Sequence, residues 1–173
     1  MAHPVTRSPS SVQQGVPARR DRRRAARAGL TVIELLMVAT IVATLAVIGV
    51  PAYTRARDKA NNIRAIADIS VLQKEILVYA ALHGERLPNT LDELGRGFFR
   101  DPWNNPYEYL NFATTRGRGA MRKDRFVVPL NSTFDLYSKG KDGMSRPPLT
   151  ARDSHDDIVR ANDGAFIGLA SEY

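Results

Sequence analysis

The run from Leu30 to Val50 constrains this chain more than any other feature: its 21 residues hold one ionisable side chain, Glu34. At about 1.5 Å per residue it is roughly as long as a bilayer's hydrocarbon core is thick, which predicts a membrane-spanning helix. An Arg-rich block precedes it directly. The positive-inside tendency assigns that end to the cytoplasm and the remainder of the chain to the far side. Glu34 is the exception inside the span. A carboxylate in lipid costs about 2.5–3.5 kcal/mol on insertion scales, so either the interface keeps it hydrated or it has a partner. Cutting the chain after Gly29 would create one: the new amine of Leu30 in one subunit would pair with Glu34 of the next, offsetting both desolvation costs.

The chain's net charge of +7 and pI near 10 invite a nucleic-acid reading, but the charge is unevenly placed. Up to Gly29 seven Arg face only Asp21, a net +6, and the chain beyond Gly29 is nearly neutral. With the first 29 residues removed as a leader, no nucleic-acid partner is expected. Residues 1–28 are rich in Ser, Pro, Gln and Arg, lack apolar periodicity and are expected to be disordered. An ordinary secretory signal places its apolar region before the cut; here it comes after, so processing leaves the anchor attached. The chain has no cysteine, and an exported head must be held by packing or by a metal.

Pro51 interrupts the helical pattern and predicts a kink or local unwinding around Gly49–Pro51. Residues 30–51 then form the membrane segment and 52–84 an amphipathic stem. Along that stem Ala56, Ala60, Ile63, Ala67, Val71, Leu72, Ile76 and Tyr79 recur at three- and four-residue spacing, with Gly84 as C-cap. Residues 85–173 are expected to form an α+β head. A short helix begins at Asn89 or Thr90, and the Pro-rich segment Asp101–Tyr109 carries the only Trp. Glu108–Phe112, Arg125–Val128 and Thr133–Tyr137 predict a small antiparallel sheet, and Thr114–Lys123 an exposed basic hairpin loop. The apolar run Gly164–Leu169 is expected to pack on that sheet or along a subunit edge.

Gly29-Leu30-Thr31-Val32-Ile33-Glu34-Leu35-Leu36, behind its basic leader, resembles the class III signal of type IV pilins and type II secretion pseudopilins. Gly29, Thr31 and Glu34 match by position; Leu30 stands where Phe is usual. Two further strings, Asp101-Pro102-Trp103-Asn104-Asn105-Pro106-Tyr107-Glu108-Tyr109 and Asp135-Leu136-Tyr137-Ser138-Lys139-Gly140-Lys141-Asp142-Gly143, resemble segments of the major pseudopilin. In the first, Asn104 replaces the usual Gly. The resemblance implies a pilin-like fold: a long N-terminal helix, both anchor and stem, packed on a small antiparallel sheet with an irregular C-terminal loop. It also implies cleavage after Gly29 by a prepilin peptidase, N-methylation of Leu30, and assembly through Glu34 and Pro51 into a homo-oligomeric filament. An inner-membrane platform, its ATPase and minor pseudopilins would assist, with the head in the periplasm. In this class the alternative is a pilin of a surface pilus; in another, a singly anchored periplasmic enzyme or binding module.

The same resemblance implies a calcium loop. Calcium takes six to eight oxygens, and Asp142, Asp153, Asp156 and Asp157, with Ser138 and the Lys139 carbonyl, are the candidate donors. The intervening Met144–Arg152 departs from the family: Arg146 and Arg152 oppose a cation and Pro147-Pro148 stiffens the loop. The other reading is a turn at Asp142-Gly143 and a cap at Asp153. Ser154-His155-Asp156 has the letters of a hydrolase triad, but adjacent residues cannot form that geometry. No phosphate loop, dinucleotide fingerprint or metalloprotease motif is present.

Overall fold

The computed structural model describes residues 29–173; the expected leader, residues 1–28, lies outside the described residues. The chain divides into two compact units, the first ending at Ala43 and the second running from Thr44 to Tyr173. One helix, α1 (Val32–Leu82), begins in the first unit and ends in the second. It is the one helix among the described residues long and apolar enough to cross a membrane, and its apolar window is wholly exposed. Pro51 lies inside it, and the unwinding expected at Gly49–Pro51 does not occur. Proline removes one ladder donor, while its neighbours on both sides stay helical.

The C-terminus of α1 adopts the expected cap. Gly84 takes a left-handed φ of 67°, and the Glu85 amide donates to the Ala80 carbonyl at 2.8 Å, the long bond of a Schellman motif. A single 3₁₀ turn at Leu91–Leu94 comes next, with Thr90 at its N-cap position but no side-chain capping bond.

In the second unit, four strands form an antiparallel meander in the order β1 (Glu108–Asn111), β2 (Phe134–Ser138), β3 (Ile158–Ala161) and β4 (Phe166–Leu169). The first two fall where expected. Arg125–Val128 is instead a tight turn closed by a bridge between Asp124 and Val127. The third and fourth strands come from the C-terminal segment, so the run from Gly164 joins the sheet as an edge strand.

Strand alternation gives the sheet two covered faces. Phe134, Leu136 and Ile158 join Ala65, Ile69, Leu72 and Ile76 of α1, with Leu91 and Tyr107, in the main core. On the opposite face Val159 and Ala161 pack with Leu130, Leu149 and Ala170, and Tyr137 lies against them. The loops before β2 and before β3 cover that second face, away from α1.

Candidate functional site

The start of α1 carries the first group of site residues. Thr31 precedes the helix, and its hydroxyl accepts from the Glu34 amide at 3.3 Å. Glu34 reaches back: its Oε2 accepts from the Thr31 amide at 2.8 Å and from the Thr31 hydroxyl at 2.7 Å. This is a capping box, in which Thr and Glu three residues apart satisfy orphan donors of the first helical turn. Its spacing is legible in Thr31-Val32-Ile33-Glu34, yet the sequence pattern alone points to interfacial hydration or an intermolecular partner for Glu34 and not to this local one. Gly29 and Leu30 lie exposed ahead of the helix.

The stem of α1 has two apolar faces. Ala65, Ile69, Leu72, Ile76 and Ala80 are buried against the sheet. At about 100° per residue, Ala56, Ala60, Ile63, Ala67, Val71 and Val78 cluster on the opposite side, all exposed, with the charged Lys74 among them. The stripe expected from the sequence therefore mixed two surfaces: Leu72 and Ile76 face the core, whereas Ala56, Ala60, Ile63, Ala67 and Val71 face outward. One periodic pattern cannot reveal that a helix is apolar on both sides until the sheet's position is known.

The Asp101–Tyr109 segment is a positioning device. Asp101, buried, accepts from the amides of Trp103 at 3.0 Å and Asn105 at 2.7 Å and from the hydroxyl of Ser138 at 2.5 Å. Asn105 Nδ2 donates to the Gly140 carbonyl at 2.8 Å, joining this turn to the C-terminal loop. Asn104, at the family's glycine position, sits at φ 75°, a left-handed conformation that Asn tolerates better than other side chains. The Tyr107 hydroxyl donates to Asp68 of α1 at 2.9 Å, and burial holds that phenol well above its ordinary range. Trp103 and Tyr109 pack against the main core, and Tyr109 donates to the Pro88 carbonyl at 2.9 Å.

The candidate calcium donors are dispersed among other duties. Ser138 is fully buried, bonded to Asp101 and accepting from the Gly140 amide at 3.0 Å. Asp153 pairs with Arg146 at 3.3 Å, and Lys139, whose carbonyl is the candidate donor, has its ammonium paired with Glu108 at 2.6 Å. Asp142 and Asp156 are brought together, but by one hydrogen bond: Asp156 Oδ2 accepts from the Asp142 amide at 2.9 Å. Asp142 Oδ1 accepts from the Met144 amide at 2.7 Å, the turn expected as the other reading. Among the described residues no three His, Asp or Glu side chains are grouped to hold a metal ion. Ser154 is bonded to the Arg146 backbone and His155 to the Thr150 carbonyl, so no Ser-His-Asp relay exists here.

Asp157 is the most constrained of the set. It is fully buried, and its Oδ2 accepts from Arg122 Nη2 at 2.6 Å and from the Ser145 hydroxyl at 2.5 Å. Burial pushes its carboxyl up to about 6, opposed by the hydroxyl bonds and by the guanidinium. Its other oxygen has no partner. A divalent ion there would face the buried Arg122 guanidinium, a like charge that the protein interior screens poorly. The donor set therefore does not fit calcium as it stands. Arg122 gives no sign of this role in sequence, where it belongs to a basic loop expected to be exposed. Arg116 and Arg118 are exposed there as expected, but Arg122 is 4% exposed.

Gly140 marks how tightly the loop is folded. Its φ is 64°, and an added Cβ would collide with the backbone carbonyl of Asp156. Gly140→Ala is expected to lower head stability by about 2 kcal/mol or more, read as a fall in the thermal midpoint.

Known proteins resemble the chain in sequence. The chain is 27% identical over 157 residues to "Type II secretion system core protein G" of Dickeya chrysanthemi, covering 79% of this chain and 87% of that protein. It is 28% identical over 142 residues to the protein of the same name from Pseudomonas aeruginosa, covering 70% and 88%. It is 31% identical over 70 residues to "Competence protein ComGC" of Halalkalibacterium halodurans, covering 40% of this chain and 68% of that one. No protein-family model and no solved structure matches. A membrane-length helix opening on a Thr31–Glu34 cap, an antiparallel sheet packed on its stem and these three relatives agree: the chain belongs to the superfamily of type IV pilins and type II secretion pseudopilins.

Proposed function

We propose that this pilin-like chain is a structural subunit of a type II secretion pseudopilus, with no catalytic role. A prepilin peptidase cuts after Gly29 and methylates Leu30. Residues 30–51 hold the subunit in the inner membrane, its N-terminus cytoplasmic, with the stem (52–84) and head (85–173) in the periplasm. An assembly platform with its ATPase, and minor pseudopilins, then bring subunits together through α1. Within the filament, Glu34 pairs with the Leu30 amine of a neighbour.

The observation that carries this reading is the second apolar face of the stem. Ile63, Val71 and Val78 remain exposed while the opposite face of the same helix is buried in its own head. A one-sided stem needs no neighbours; a two-sided one has apolar surface for other copies to cover. The two core protein G relatives favour a pseudopilus. The competence relative favours a second reading, a surface pilus, and electron microscopy of overproducing cells separates them by the presence of long external fibres.

Edman sequencing of the protein recovered from membranes is expected to begin at Leu30, with a methylated amine. Recovery of an intact Arg-rich start would remove the amine on which the Glu34 pairing depends.

A further inference from the structure

We propose that Arg122 is a built-in cation that closes the C-terminal loop, in place of a bound metal ion. Its guanidinium stands where three stretches of chain meet. It donates to Asp157 at 2.6 Å, to the Ser145 hydroxyl at 2.6 Å and, more weakly, to the Ser154 hydroxyl at 3.4 Å. Those three acceptors span the ends of the loop that leads into β3. The Arg122 amide donates to Asp135 of β2 at 2.6 Å, and its guanidinium lies over the Tyr137 ring, 4.5 Å from the centroid. The side chains of Arg122 and Asp157 are 5% and 0% exposed, so this is an interior junction rather than a surface pair.

A metal ion in such a loop has one structural duty: to gather oxygens from segments that would otherwise repel or drift apart. Arg122 does the same with a planar fork of donors that cannot deprotonate. The loop is drawn closed around it. The Leu149 amide donates to the Lys123 carbonyl at 3.0 Å, and the Leu130 amide to the Arg122 carbonyl at 3.1 Å. The Ala170 amide donates to the Asp157 carbonyl at 2.9 Å, tying in the C-terminus. A covalently attached cation cannot be chelated or diluted away, so the fold of this head is independent of divalent ions.

The test uses the whole protein in detergent micelles and monitors thermal unfolding in EDTA and in 5 mM calcium chloride. The two midpoints are expected to agree within about 1 °C; a rise of 5 °C or more with calcium overturns the proposal. Arg122→Met, which removes the charge but keeps much of the volume, is expected to lower the midpoint by about 10 °C or more in either solution, because it strands Asp157. An unchanged midpoint overturns the proposal. Adding Asp157→Asn to that variant leaves no stranded charge and is expected to recover at least half of the loss. If Arg122→Met does not fold, the double variant is still expected to; failure of both to fold, or no recovery, overturns the pairing.

Discussion

Glu34→Gln is expected to leave the protein inserted and folded while reducing filament yield more than a hundredfold. The substitution is chosen because Glu34 has two duties that Ala would remove together. In the structure its carboxylate accepts from the amide and hydroxyl of Thr31 and so caps α1. A Gln carbonyl accepts those same two bonds, and Gln serves at this position of a capping box. What Gln cannot do is attract the Leu30 amine of the next subunit as an ion. An unpaired amine in that apolar setting would cost about 3–5 kcal/mol per subunit added, which at 1.4 kcal/mol per decade exceeds two orders of magnitude. Glu34→Ala is expected to lose the cap as well, about 1 kcal/mol more. Quantifying pelleted filament against total membrane protein separates the duties. Filaments from the Gln variant at normal yield would falsify the ion pair; a defect confined to the Ala variant would assign Glu34 to capping alone.

Much of this molecule was legible because its strongest signals are local. The apolar run, the glycine C-cap at Gly84 and strands β1 and β2 depend on residues close in sequence, and each appears where the pattern put it. The same holds for Asn104, whose place in a string where glycine is usual is explained by a φ of 75°. The failures share a different cause. Strand β3 reads Ile158-Val159-Arg160-Ala161, and its charged third residue argues against a buried strand. The structure buries Arg160 by setting its guanidinium 4.0 Å from the Phe134 centroid and donating Nε to Gln73 of α1 at 2.8 Å. Arg122 is hidden for the same reason. Its burial depends on Asp157, 35 residues later, and on a sheet face that exists only once β2 and β3 have paired. Long-range charge pairing leaves no periodicity to read, so buried arginines look like solvated ones in sequence.

The two faces of the stem give the other large effect, and adjacent residues test it. Leu72 is fully buried, whereas Val71, one residue earlier and about 100° around α1, is 48% exposed. Leu72→Ala empties a position enclosed by helix and sheet, a change of about 2–5 kcal/mol, and is expected to lower the head's thermal midpoint by about 10 °C or more. Val71→Asp changes a half-exposed position outside the head's buried core. Its direct penalty is limited to helix propensity, a few tenths of a kcal/mol, so its midpoint is expected to stay within about 2 °C. In a filament the order of severity reverses. An aspartate there, with exposed Lys74 three residues on, would still be desolvated against a neighbouring copy's stem, and the contact recurs at every subunit, so filament yield is expected to fall at least tenfold. The Leu72 variant, still folded at growth temperature in part of its population, is expected to assemble at reduced yield. Normal filaments from Val71→Asp would mean that the outward stripe faces solvent in the assembly, and the two-faced stem would lose its meaning as an interface.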